Sequence, residues 1–237
     1  MRLASRLAIF SWEFLMRFIT SLSVLAVAAA ASFGARAQSI DVRVTGTVTP
    51  PACVPTLVGG GVVDYGNIPV SSLNRSGFTV LPEKDVPFTI GCDAPTRVAL
   101  GVVDNREASH VAGIPAALNG AYIATTNFGL GTVSGANVGG YVLRMRQGSF
   151  TADGTNAYTV INATSGSGSW ANTSFGIFQP LPTFRLSWSQ TQGGNPVAFS
   201  NLSGTMTVEA ALNRGDALPL DNEVPLDGLA TLELVYL

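Results

Sequence analysis

The C-terminal stretch Ala230-Thr-Leu-Glu-Leu-Val-Tyr-Leu237 is the part of the sequence that indicates the fold most clearly. Side chains alternate between two faces along a β-strand, so Leu232, Leu234 and Tyr236 share one face. The other face carries Thr231, Glu233, Val235 and Leu237. Both faces are fairly apolar, which is typical of a strand buried in a sandwich. The stretch therefore predicts a final β-strand whose backbone lies within reach of a partner.

Similar short segments recur towards the N-terminus, separated by Gly, Pro, Asn and Asp. No segment has an apolar stripe of helical period long enough to predict a helix. A turn is expected at Asp93-Ala-Pro95, and long loops at Asp104–Asn119 and Thr164–Ser174. About ten short strands predict one all-β domain, a sandwich or a barrel. The predicted strands, besides the last one, are 40–48, 61–65, 78–81, 86–92, 97–103, 141–147, 157–161, 183–188 and 205–212.

The first 37 residues have the pattern of a cleavable signal peptide. Basic residues come first, and an uncharged apolar stretch from Phe18 to Ala35 follows. The stretch ends at Ala35-Arg36-Ala37, which is a small-residue cleavage site. We expect the mature chain to begin at Gln38, with Met16 as an alternative start, and to be exported. The alternative is an N-terminal membrane anchor; no later segment approaches the length needed to span a bilayer.

Two cysteines occur, Cys53 and Cys92, and both lie in the mature part. An exported chain meets an oxidising compartment, so we predict a disulfide between them. Such a bond would close a loop of about 40 residues and stabilise the domain by about 4 kcal/mol in the chain-entropy model. The alternative is a pair of free buried thiols.

Composition and motifs argue against catalysis, metal binding and nucleic-acid binding by this chain. Charged residues make up 12% of it, and Lys84 is the only lysine, so no basic cluster is available for nucleic acid. The lone histidine, His110, is expected on a solvated loop, without a nucleophile beside it. The acids between Asp221 and Asp227 indicate a solvated loop, with a weak Ca²⁺ site as the alternative. We expect no enzyme activity, no metal site and no cofactor.

The mature N-terminus carries a second alternating segment, Ile40-Asp-Val-Arg-Val-Thr-Gly-Thr-Val48. One face of this segment carries Ile40, Val42, Val44, Gly46 and Val48. Pro50-Pro51 ends the segment. A strand with one apolar face needs an apolar groove, and a glycine in that row suits a shallow or crowded place in the groove. Periodicity alone allows either a strand donated to another molecule or an ordinary first strand of its own domain.

The segment 42–48, followed closely by Cys53, resembles the N-terminal extension of chaperone–usher pilins, and Tyr236 matches their penultimate tyrosine. Longer stretches across the mature chain, such as Gly91-Cys-Asp-Ala-Pro95, are similar to a poorly characterised pilin-like family of unknown function found in fimbrial operons. One departure concerns Val224, which stands where pilins usually have glycine. Gly228 lies nearer the end, which leaves the register of the last strand open.

The resemblance implies an immunoglobulin-like, pilin-type β-sandwich that lacks one strand and is completed by a donor strand. It implies a donor extension at 38–50 and a domain at 51–237. Ile40, Val42, Val44, Gly46 and Val48 would be the donor residues. Leu232, Leu234 and Tyr236 would form the acceptor and chaperone-binding edge. The Cys53–Cys92 bond would clamp the start of the domain to a neighbouring strand.

The function implied is that of a structural subunit of a fimbria on the cell surface, which supports adhesion. Its partners would be a periplasmic chaperone, an outer-membrane usher and neighbouring subunits in a head-to-tail polymer. The alternative is a self-complete secreted β-sandwich that binds sugar or protein. In that case Trp170 and Tyr158 could offer a stacking surface, although aromatic core residues explain them equally well.

Overall fold

The computed structural model describes residues 39–48 and 51–237. The chain divides between Val48 and Thr49, and the larger unit, Thr49–Leu237, holds every strand of the described residues. Those strands are β1 (Cys53–Leu57), β2 (Thr79–Val80), β3 (Lys84–Thr96), β4 (Val98–Asp104), β5 (Phe128–Gly129), β6 (Thr132–Val133), β7 (Ala136–Asn137), β8 (Gly139–Met145), β9 (Thr151–Ala152), β10 (Thr155–Asn156), β11 (Tyr158–Asn162), β12 (Ala171–Asn172), β13 (Arg185–Ser189), β14 (Phe199–Leu212) and β15 (Ala230–Tyr236).

Two antiparallel sheets contain most of these strands. The first, sheet A, has the order β1-β3-β14-β8-β5, with β2, β9 and β10 attached to it. The second, sheet B, has the order β12-β11-β13-β4-β15. Strands β6 and β7 form a separate hairpin. The all-β prediction is confirmed, and the two sheets form a sandwich-like arrangement.

The core lies between the two sheets, because alternate side chains of each sheet point towards the other. Phe88 of sheet A stacks on Trp188 of sheet B with ring centroids 6.1 Å apart. Both rings are essentially inaccessible, as are Leu100 and Leu186 from sheet B and Leu202 from sheet A. Burial of this apolar surface is the main source of stability in the sandwich.

A charged group lies on sheet A away from this core. Arg144 of β8 donates to the carboxylate of Glu209 of β14. The Tyr122 hydroxyl donates to the same carboxylate at 3.0 Å. Glu209 and Tyr122 are buried, so the ion pair is largely shielded from water. A buried carboxylate with two partners is expected, since an unpaired one would be costly.

Several predicted elements differ from the structure. Residues 39–48 belong to no strand of this single chain, so they are not an ordinary first strand of their own domain, and the donated strand stays a prediction. The predicted strand at 61–65 is wrong, because Gly59, Gly60 and Gly61 all have positive φ and turn the chain there. The turn at Asp93-Ala-Pro95 is also wrong: β3 continues to Thr96, with an irregularity in its pairing to β14.

The two predicted loops contain short regular elements. The loop after β4 includes the α-helix α1 (Ile114–Leu118) and a 3₁₀ turn at Glu107–Ser109. Pro115 lies in the first turn of α1, where a missing N–H costs nothing. The loop at Thr164–Ser174 includes β12, which pairs with β11.

Candidate functional site

An open groove lies between β15, at the edge of sheet B, and the segment that follows β1 in sheet A. Leu229, Ala230 and Leu232 form one side, and the segment Gly60–Val63 forms the other. Its cavity volume is about 420 Å³. The floor is apolar and comes from the inner face of sheet A, namely Tyr141, Leu143, Met206, Val208 and Ala210.

A second cavity, of about 760 Å³, continues the groove beyond the start of β15. The two cavities share Val63, Tyr65 and Leu226 as lining residues, so they form one continuous depression. The wider part also exposes polar groups, including Asp64 and Glu223. The groove is therefore apolar beside β15 and more polar at its wide end.

The free edge of β15 presents unpaired backbone groups to this groove. Along an antiparallel pair, residues alternate between those bonded to the neighbour and those facing away. The N–H of Asn105 donates to the carbonyl of Leu229, and the N–H of Leu237 donates to the carbonyl of Arg97, so odd-numbered residues bond towards β4. The even-numbered residues consequently direct N–H and C=O away from β4. They are Ala230, Leu232, Leu234 and Tyr236.

Within the described residues, β15 pairs with β4 and with no other strand. Leu232 and Leu234 are half-buried and pack against the core from this edge. An exposed edge with this pattern can accept an added strand: the backbone supplies hydrogen bonds, and the apolar floor receives alternate side chains.

The groove is closed at one end, where β1 meets β15. The N–H of Cys53 donates to the hydroxyl of Tyr236 at 2.9 Å. Cys53 is also joined by a disulfide to Cys92, its direct partner on β3. The predicted disulfide is thus confirmed, and it fixes the strand that forms the closed end.

The open end depends on glycines. The successive positive φ values of Gly59, Gly60 and Gly61 swing the chain away from β1, so that the two sides of the groove separate. Gly228 precedes β15, and a Cβ added there would lie 2.9 Å from the Tyr141 ring. Close approach therefore requires glycine at 228, whereas Val224 lines the wide end of the groove.

A set of polar contacts holds the start of β15 in place. The guanidinium of Arg106 donates to both carboxylate oxygens of Asp227, each at 3.0 Å, and to its carbonyl. Its hydrogen bonds to Asp227 raise the pKa of Arg106 further above its ordinary value. The Asn105 side chain donates to Thr231 at 2.9 Å. These contacts keep the edge of β15 extended where it borders the cavity.

Tyr65 lies at the junction of the two cavities. Burial raises the pKa of Tyr65 to about 12, and the negative charge of Glu209 adds to the shift. Its hydroxyl is buried and has no hydrogen-bond partner among the described residues. Lys84 lies 5.6 Å from the centre of its ring, which is a cation–π distance.

The segment 39–48 has no regular secondary structure and is exposed throughout. Its apolar side chains at Ile40, Val42, Val44 and Val48 are between 84% and 96% exposed. A row of exposed apolar side chains at alternate positions makes residues 39–48 a candidate interaction segment. The alternation that the sequence shows is therefore not used for burial within this chain.

His110 and Trp170 differ in part from their predicted surroundings. His110 is on a loop, but its Nε2 lies 2.7 Å from the buried carboxylate of Asp104, so it is not simply solvated. The Asp104 carboxylate also accepts from the N–H of Gly129 at 3.0 Å. Trp170 is only 9% exposed and packs against Ala99 and Val160, which removes it as a stacking surface.

Other sites are absent from the described ranges, 39–48 and 51–237. There, no three His, Cys, Asp or Glu side chains converge as metal ligands. Asp227, one of the acids considered for Ca²⁺, is bound to Arg106 instead. Over the same ranges, no helix has both the length and the apolar character to cross a membrane.

The structure brings together the predicted residues Leu232, Leu234 and Tyr236 on one edge and joins Tyr236 to Cys53. Sequence reasoning missed the opposite side of the groove, Leu57 to Tyr65, which was predicted in part as a strand. The signal that could have identified it is Gly59-Gly-Gly61, since three consecutive glycines seldom continue a strand.

The chain matches the model of the family described as "Protein of unknown function (DUF1120)" over residues 42–142. It is similar to "Protein GltF" of Escherichia coli K12, with 30% identity over 94% of this chain and 100% of that protein. It is also similar to "Uncharacterized protein YhcF" of the same organism, with 26% identity over 90% of this chain and 98% of that protein. The chain belongs to the DUF1120 family.

Proposed function

We propose that this chain is a structural subunit of a chaperone–usher fimbria and polymerises by donor-strand exchange. The observation that carries the proposal is the free edge of β15 beside an apolar groove, in a chain that also has an exposed alternating segment at 39–48. In the proposed polymer, this segment of one copy enters the groove of the next.

The chemistry of the two partners is complementary. The edge supplies outward backbone groups from four residues, and the groove floor is apolar. The segment supplies a bare backbone and five positions on one face: Ile40, Val42, Val44, Gly46 and Val48. Main-chain hydrogen bonds would give pairing, and alternate side chains would give register. The contact is head-to-tail, so it would build an open filament.

The remaining parts of the proposal follow from this assembly. A free edge over an apolar groove is prone to aggregate, so a periplasmic chaperone would cover it before assembly at an outer-membrane usher. The subunit would reach the cell surface after removal of residues 1–37, and the filament would support adhesion. Cleavage after Ala37 would leave Ile40 close to a free N-terminus.

The test compares the mature chain with a variant lacking residues 39–49. We expect the mature chain to form ladder-like oligomers with its chaperone present, and the deletion variant to fold but fail to donate. A matched pair of substitutions separates the two faces of the segment: V42N/V44N changes the apolar row, and T45N/T47N changes the polar row. Only the first should abolish oligomers. Polymerisation of the deletion variant would contradict the proposal.

A second candidate function is a self-complete secreted binding module. It would require the segment 39–48 to be dispensable for assembly and the domain to be monomeric and soluble alone. Tyr158 is half-buried on β11, whereas Trp170 is buried, so the aromatic surface that would favour this function is reduced.

A further inference from the structure

Glu233 occupies a distinctive position on β15. It lies on the outer face of the edge strand, is exposed, and makes no ion pair within the described part of the chain. Its direct neighbour on β4 is Gly101. The guanidinium of Arg185 from β13 lies over this glycine, 3.1 Å from where a Cβ would be, but forms no ion pair with Glu233 among the described residues. A strand added to β15 would place its own outer-face side chains beside this carboxylate.

The segment 39–48 has one matching charge. When its apolar row faces the groove, the opposite row faces outwards, on the same side of the sheet as Glu233. That outer row consists of Asp41, Arg43, Thr45 and Thr47. Arg43 is exposed and, like Glu233, has no ion pair among the described residues. It is the only basic residue in this row.

We infer that Arg43 of one copy pairs with Glu233 of the next and sets the register of the added strand; this rests on the proposed function. The outward backbone groups of β15 belong to even-numbered residues, so Glu233 would lie in a non-hydrogen-bonded pair. Side chains approach most closely in such pairs when the strands are antiparallel, as β15 and its neighbour β4 are.

The same register uses the full length of β15. With Arg43 opposite Glu233, Val42 lies beside Leu234 and Val44 beside Leu232. Gly46 then lies beside Ala230, and the strand ends at both limits of β15. Ile40 and Gly46 thus mark the two limits of the pairing, beside Tyr236 and Ala230, while Val48 extends past β15 to Gly228.

The neighbouring registers are worse for physical reasons. A slip of two residues in one direction puts Asp41 opposite Glu233, where like charges repel. A slip of two in the other direction puts the uncharged Thr45 opposite Glu233 and carries Ile40 past Tyr236, where β15 ends. A slip of one residue turns the apolar row outwards.

The experiment reverses each charge in the mature chain and, with its chaperone present as above, measures oligomers by size-exclusion chromatography with light scattering at equal protein concentration. R43E and E233R should each lower the apparent association constant by about three- to tenfold, as expected for a cross-strand charge pair turned repulsive. The double variant R43E/E233R should return it to near the wild-type value. The effect should shrink in about 1 M salt.

R75E and E107R serve as matched controls, because both residues are exposed and free of ion pairs in the described part of the chain; they should leave association unchanged. A double variant no better than the single variants, or single variants equal to the wild type, would overturn the Arg43–Glu233 pairing while leaving strand exchange intact. A wild-type chain that stays monomeric would overturn both the pairing and the proposed function.

Discussion

The N–H of Cys53, the first residue of β1, donates a hydrogen bond of 2.9 Å to the hydroxyl of Tyr236, the last residue of β15. The two residues are separated by 183 positions in the chain. Their contact joins an edge strand of sheet A to an edge strand of sheet B. It therefore determines where the groove between the sheets ends.

The variant Y236F should weaken this closure. Loss of the hydroxyl leaves the Cys53 N–H without its acceptor, so the free energy of unfolding should fall by about 1 kcal/mol. Urea denaturation followed by tryptophan fluorescence measures the change. Y158F is the control, since no hydrogen bond of the Tyr158 hydroxyl occurs among the described residues, and its stability should stay near that of the wild type. Equal stability of both variants would contradict the role assigned to Tyr236.

Removal of the disulfide should have a larger effect. Cys53 and Cys92 close a loop with a sequence separation of 39 residues. The variant C53A/C92A should lose about 4 kcal/mol of stability, chiefly because its unfolded chain gains freedom. The wild-type protein treated with reductant should show a similar loss in the same urea titration. A loss below about 1 kcal/mol in both samples would show that the bond adds little.

The buried ion pair of sheet A offers a contrast between two arginines. R144L leaves the Glu209 carboxylate with Tyr122 as its remaining partner, so it should cost about 3 kcal/mol or more. Arg146 is more exposed and binds Glu83 and Asp85 at the surface, so R146L should cost at most about 1 kcal/mol. Thermal and urea unfolding would compare the two. Similar losses would mean that the Arg144 pair is effectively solvated.

The raised pKa of Tyr65 leads us to expect a lower free energy of unfolding at alkaline pH. The folded protein holds the phenolic proton up to a pKa of about 12, while an unfolded chain releases it near the ordinary value of 10. The stability contributed by this proton is complete below pH 10 and is lost as the pH rises towards 12. The variant Y65F should show a shallower fall in the free energy of unfolding across that interval. An unchanged slope would place the effect elsewhere.

We expect a side chain at position 228 to clash with residues at the groove. A Cβ at this position would lie 2.9 Å from Tyr141 and 3.1 Å from Leu130, so G228A should destabilise the domain by about 1–3 kcal/mol through overpacking. G120A is the matched control, because nothing lies within 4 Å of a Cβ added there. Thermal melts of the two variants provide the comparison. A neutral G228A would show that the start of β15 can move away from the Tyr141 ring.

The parts of the fold that were predictable are those where local pattern and burial agree. Alternation in the sequence located β8 and β15, and the predicted strand at 97–103 coincides with β4. The two cysteines were enough to predict the disulfide. The strands are thus predicted from residues near one another in sequence, whereas the disulfide is predicted from two cysteines, 39 residues apart, in an exported chain.

The missed elements depend on distant residues. Pro55 argues against a strand at 53–57, yet β1 is an edge strand, where a missing N–H is tolerated. The first half of β14 contains Asn, Ser and Gly and resembles a loop. Gly204 is needed there because the Phe150 ring occupies the space of its Cβ. Such packing requirements involve residues that meet only after folding, so the local sequence does not indicate them.

The open border of β15 also bears on what a stability measurement of this protein reports. A strand that completes the border binds the folded state and not the unfolded one, so it raises the apparent melting temperature by mass action. The melting temperature then reports the fraction of molecules whose β15 edge is bound to an added strand. It should rise with the concentration of any segment that fits, and two preparations of identical sequence should differ when their concentrations differ.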